Sequence, residues 1–85
     1  METTRMLHLI NGEFQGKEAL DLITHLVHVK IKFLENKIEE SSSEEDIKMR
    51  EKRIKQLQEE LSHCARVLMK TPRVHLESNL EYDLA

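Results

Sequence analysis

Between Gly16 and Glu40, apolar residues fall at Leu20, Ile23, Val27, Ile31, Leu34 and Ile38, with a second line at Ala19, Leu22, Leu26, Val29 and Phe33. At about 100° per residue the two lines merge into one apolar face wider than half of a helix. The run has no proline, and its only glycine opens it. The pattern predicts a helix over 17–40, with Gly16 as N-cap and Glu18 and Asp21 in the first turns, where the helix dipole favours acids. Phe14, just ahead of the cap, suits a hydrophobic staple.

The next stretch has a narrower pattern. Ile47, Ile54, Leu61 and Leu68 recur every seven residues, Leu57 and Cys64 fill positions between them, and Arg50 takes the first of those positions. This heptad seam predicts a coiled-coil-like helix over 44–70. Three serines, Ser41 to Ser43, separate the two helices, and either Ser42 with Glu45 or Ser43 with Asp46 can form a capping box. Glu44–Lys48, Asp46–Arg50 and Glu51–Lys55 are acid-before-base pairs at i,i+4. Thr71-Pro72 stops the helix.

Two shorter segments flank the helices. In 73–84 the period becomes two: Val74, Leu76, Leu80, Tyr82 and Leu84 share one side, with Ser78 the single polar break. That alternation is a strand signal, and a flexible tail is the other reading. At the other end, Met1 to Arg5 reads as a loose terminus and Met6–Ile10 as a short strand. Asn11-Gly12 is a strong turn signal, so a tight reversal is expected within 5–14.

A short connection favours antiparallel neighbours, so the chain is expected to be one mainly α domain, 1–85: a hairpin of two long helices with short β segments where both termini meet. The second helix offers a stripe about half as wide as the first one presents. One pairing therefore leaves much of the first helix in water, and such a patch usually marks an interface. Burying Leu20, Leu22, Ile23, Leu26, Val27, Ile31, Phe33, Leu34 and Ile38 together with Ile54, Leu57, Leu61 and Leu68 calls for a homodimer, a four-helix bundle about a twofold axis. Lys30 and Lys37 fall on the same face, where their stems can pack while the ammonium groups reach the rim.

Composition narrows the class. The chain has 85 residues, 34% charged and 4% aromatic, with no Trp and a net charge of −3. Eighty-five residues make a single core marginal, which again favours association. The negative balance argues against a general nucleic-acid binder. One cysteine allows no intramolecular disulfide and no zinc-finger spacing. Neither a signal-peptide pattern nor an apolar run of membrane-spanning length is present, so a soluble cytoplasmic protein is expected.

Ile10-Asn-Gly-Glu-Phe14, Glu18-Ala19, Lys30-Ile31-x-Phe33, Ser41-Ser42 and Lys52-Arg53-Ile54 resemble a group of small bacterial proteins of unknown function that open with a LI(N/D)GEF segment. The resemblance spans roughly residues 7 to 60. Gln15-Gly16-Lys17 stands where that group has a serine cap, and nothing after residue 71 is shared. It implies a helical hairpin with a short β start, and it supplies no activity, cofactor or catalytic residue.

Candidate chemistry is sparse. Asp21, His25 and His28 fall at i, i+4 and i+7, a spacing at which carboxylate and imidazole can share a divalent metal. A metal-binding sensor or small metal-dependent enzyme is thus one alternative, and solvated surface is the plainer reading. Lys48, Arg50, Lys52, Arg53 and Lys55 form a basic cluster, the basis of a second alternative, a nucleic-acid-associated regulator. Glutamates interleave it and no aromatic lies nearby for stacking. Cys64, on the seam, reads as a small buried hydrophobe. The acidic stretch Glu39 to Asp46 reads as solvated helix ends. No Ser-His-Asp or Cys-His arrangement is defensible, so no catalytic residue and no cofactor is expected. The best functional lead is a non-catalytic protein–protein interaction or regulatory module, with Val74–Leu84 free to add to a partner's sheet. The apolar end Leu84-Ala85 also reads as a degradation signal.

Overall fold

The chain runs strand, helix, helix, strand, and the two strands close on each other. A computed structural model describes residues 3–84. Strand β1 spans Thr4–Gln15, helix α1 Gly16–Glu40, helix α2 Glu44–Leu68 and strand β2 Arg73–Asp83. The mainly α expectation holds only in part. Both helices form, but the termini build a two-stranded antiparallel sheet of 12 and 11 residues rather than short β segments. Thr4 and Arg5, read from sequence as part of a loose terminus, belong to β1, and Thr3 precedes it; Met1 and Glu2 of that terminus, and Ala85 of the degradation-signal reading, lie outside the described residues.

The Asn11-Gly12 reversal does not form. Asn11 pairs with Glu77 and Gly12 with Leu76 in the ladder, so β1 passes straight through. A glycine inside a strand is normally a weak point. Here the Phe14 ring packs over it, 3.7 Å from where a Cβ would stand.

A register shift between His8 and Ile10 leaves Leu9 as an extra residue in β1. This bulge corrects a phase error in the sequence. Ile10, Gly12 and Phe14 lie opposite Ser78, Leu76 and Val74, and beyond the shift Leu7 lies opposite Leu80 and Arg5 opposite Tyr82. Directly opposed residues share a face, so one side of the ribbon is apolar along its length apart from Arg5 and Ser78. The other side is polar apart from Met6, and it is cross-linked. Thr4 Oγ1 donates to Asp83 Oδ1 at 2.7 Å, His8 Nδ1 to Asn79 Oδ1 at 3.0 Å, and His75 Nδ1 lies 3.2 Å from Glu13 Oε1.

The helices meet as the patterns require. Leu57 and Leu68 of α2 are buried with Ala19 and Leu34 of α1, and Ile47, Ile54, Leu61 and Cys64 are half-buried along the same seam. Ser43 caps α2, its Oγ accepting from Asp46 N–H at 3.3 Å, which selects the second of the two capping choices. Of the three acid–base pairs, Asp46–Arg50 closes at 3.0 Å. At the start of α1 the N-cap is Gln15 rather than Gly16, and Glu18 Oε1 accepts from Gln15 N–H at 3.0 Å. Gly16 serves another purpose. It is buried against the end of α2, where a Cβ would overlap the carbonyl oxygens of Leu68 and Thr71. The helix ends at Leu68, with Thr71 N–H donating to Leu68 O at 3.1 Å and Thr71 Oγ1 to Val67 O at 2.8 Å. Thr71 and Gly16 thus fix the corner from which ribbon and hairpin diverge.

The result is an open molecule, 46 × 39 × 14 Å. Its radius of gyration is 15.8 Å, against about 12 Å for a compact chain of this length.

Candidate functional site

The side chains that stay in water define the site. The first apolar line of α1 turns toward α2, and Leu20, Ile23, Val27, Ile31 and Ile38 are half-buried around Leu34. The second line leaves that contact after Ala19. Val29 is 70% exposed, Phe33 50% and Leu26 40%. Lys30 and Lys37 place their Nζ atoms 5.1 and 5.6 Å from the centre of the Phe33 ring, so they shield it by cation–π contact rather than burying it.

Across from this line stands the ribbon. Leu9 and Ile10 of β1 share an open apolar groove with Leu22, His25, Leu26 and Val29 of α1. Farther out on the same ribbon face, Leu7, Leu80 and Tyr82 are each about half exposed. The site is therefore a V with an apolar helix on one arm and an apolar ribbon on the other. The groove where the arms meet is lined by Leu9, Ile10, Leu22, His25, Leu26 and Val29. The accessible surface of the chain is 6970 Å², against about 5,200 Å² for a compact monomer of this mass.

The interface residues read from the sequence divide accordingly. Ile54, Leu57, Leu61 and Leu68 meet α1 within the chain. Leu22, Leu26 and Phe33 face the V or its rim. The share of β1 was missed because Leu7, Leu9 and Ile10 do not alternate until the bulge is placed. The signal available was the run Leu7-His8-Leu9-Ile10, apolar on both parities.

The structure does not bring Asp21, His25 and His28 together as a metal site. His25 Nδ1–H donates to the backbone carbonyl of Asp21 at 2.7 Å and lies 3.7 Å from Asp21 Oδ1, with both side chains three-quarters exposed. His25 lines the V, whereas His28 lines the opposite flank of α1, with Leu20 and Thr24, against Leu61 and Ala65 of α2. Three residues turn about 300°, so the two rings stand about 60° apart on the helix, and each lines a different groove. Among the described residues no group of three or more His, Cys, Asp or Glu side chains can hold a metal.

The basic cluster is likewise dispersed. Arg50 pairs with Asp46, Arg53 Nη1 lies 3.7 Å from Glu60 Oε1, and Lys55 shares a mixed groove with Glu51, Lys32, Glu35 and Glu39. The Arg50 guanidinium, followed by the Ser41 hydroxyl, holds the Asp46 carboxyl below its ordinary range. Cys64 is a half-buried free thiol on the helix seam. Among the described residues no helix is long and apolar enough to cross a membrane. Comparison with family models, with curated proteins and with solved structures finds no match to this chain.

Proposed function

We propose that the chain is a non-catalytic protein-interaction or regulatory module of the cytoplasm that works as a homodimer. In this reading the exposed line Leu26–Val29–Phe33 of each α1 is covered by a second copy, and two hairpins form a four-helix bundle. One observation supports it: the accessible surface of 6970 Å² exceeds that of a compact chain by about 1,700 Å², more than the ~800 Å² per partner of a standard interface. Part of that excess is apolar, Leu26, Val29 and Phe33 of α1 and Leu7, Leu80 and Tyr82 of the ribbon among it, and exposed apolar patches of this kind mark interfaces.

Multi-angle light scattering tests the reading. The chain is expected to elute at twice its 10.0 kDa mass, and a Val29→Asp/Phe33→Ser variant at the monomer mass with its helical circular dichroism retained. A folded wild-type monomer at high micromolar concentration overturns it.

A further inference from the structure

The ribbon has two edges, and only one carries a defect. β1 holds the bulge at Leu9, a device that spoils pairing along an edge. β2 is regular from Arg73 to Asp83, follows its only nearby proline, and is hydrogen-bonded to β1 alone among the described residues. An isolated two-stranded ribbon is marginal in water, so a further strand on this edge adds stability.

We infer that the free edge of β2 pairs antiparallel with β2 of a second copy, about a twofold axis at Ser78, to make a four-stranded sheet. The argument is self-complementarity. An isologous antiparallel pair sets each residue opposite one whose distance from the axis is equal. Centred on Ser78, the middle of the strand, the register opposes Arg73 to Asp83, His75 to Glu81 and Glu77 to Asn79 on the polar face. On the apolar face it opposes Val74 to Tyr82, Leu76 to Leu80 and Ser78 to itself. Every residue of β2 gains a chemically suitable neighbour, and the one polar break in the apolar face meets its own copy. Neighbouring registers fail. A centre at Glu77 opposes that glutamate to itself and Leu76 to Ser78. A centre at Asn79 opposes Glu77 to Glu81 and Ser78 to Leu80. A slip of one residue puts apolar side chains opposite polar ones.

The pairing also covers what the single chain leaves bare. An axis normal to the sheet keeps both apolar faces on one side. Leu80 and Tyr82, each 51% exposed, come beside Leu76 and Val74 of the second copy, near the root of its α1. Ile10 lies opposite Ser78 in the ladder and lines the V with Leu26 and Val29, so the axis passes beside the exposed line of α1. The inference rests on the homodimer reading and adds the strand, register and axis.

The test is a cysteine cross-link. Ser78→Cys is placed in a Cys64→Ser background, and glutathione disulfide is added at a concentration where light scattering shows the twofold mass. Residues facing each other across the axis lie within disulfide reach. The copies of an Arg73→Cys control stand ten positions apart, about 33 Å. Covalent dimer should form at least tenfold faster with Ser78→Cys than with the control. Equal or slower cross-linking overturns the strand pairing. The twofold mass already measured then leaves the homodimer standing on its helices alone, whereas a chain that shows no twofold mass at any concentration overturns both readings. As a second readout, Arg73→Asp should raise the dimer dissociation constant severalfold and Arg73→Asp/Asp83→Arg should restore it. Failure of the double variant to recover rejects this register.

Discussion

At the scale of single residues, two positions carry more than their chemistry suggests. Gly16 is required for space: its hydrogen lies where a methyl would meet the carbonyl oxygens of Leu68 and Thr71. Neither oxygen belongs to a flexible side chain, so relief means moving the corner between α1 and α2. Gly16→Ala is expected to lower stability by about 1–3 kcal/mol or more, measured as a drop in the urea midpoint, although alanine is the better helix former. Asp46 offers a pH signature. Arg50 first, and Ser41 next, favour its charged form in the folded chain. A depressed carboxylate contributes stability that is present above its unfolded pKa and is lost as pH falls through its folded one. Wild type should therefore exceed Asp46→Asn in urea midpoint near neutrality, and the difference should close as pH drops below the ordinary value of 3.8.

At the scale of elements, the helices were legible and the ribbon only half so. The two apolar lines of α1, the heptad seam of α2 and the serine break carry local periodicity strong enough to fix each helix to within two residues. The alternation of β2 was legible for the same reason. β1 was not, because what decides it is nonlocal. Asn11-Gly12 has the chemistry of a turn, yet Glu77 and Leu76 stand opposite and hold it extended. The bulge at Leu9 has no local signature, since its effect is to bring Leu7 into phase with a strand far along the chain. Of the candidate site, the α1 line and the apolar side of β2 were visible in sequence, and the share of β1 was not. His25 and His28 share helical spacing yet line different grooves, because spacing does not say which neighbours flank each ring. Leu57, buried at the centre of the seam, should be the most sensitive single side chain. Leu57→Ala is expected to cost about 2–5 kcal/mol, seen as loss of cooperative thermal unfolding.

At the scale of the whole molecule, the slab shape makes the stability of one chain inseparable from what covers it. Among the described residues the buried apolar side chains are Ala19, Leu34, Leu57 and Leu68, a small core for two helices of 25 residues each. In the proposed homodimer, coupling to a second copy raises apparent stability by mass action. The thermal midpoint should therefore rise with protein concentration in wild type and become independent of it in Val29→Asp/Phe33→Ser. A scan across a hundredfold concentration range by differential scanning fluorimetry checks this. A flat wild-type profile would contradict association.

The ribbon joins the two ends of the chain: Thr4 is bonded to Asp83, 79 positions away, and Leu84 N–H donates to Thr3 O. Such contacts form late, because the loop they close is nearly the entire polypeptide. A helical hairpin that forms ahead of the sheet, as the order of local before nonlocal contacts favours, delivers both strands to the same corner. Until then β2 is an unoccupied template, and the β1 of any neighbouring molecule can fill it as well as its own. Refolding is thus a race between intramolecular closure and strand exchange, and the protein concentration during refolding decides which species accumulates.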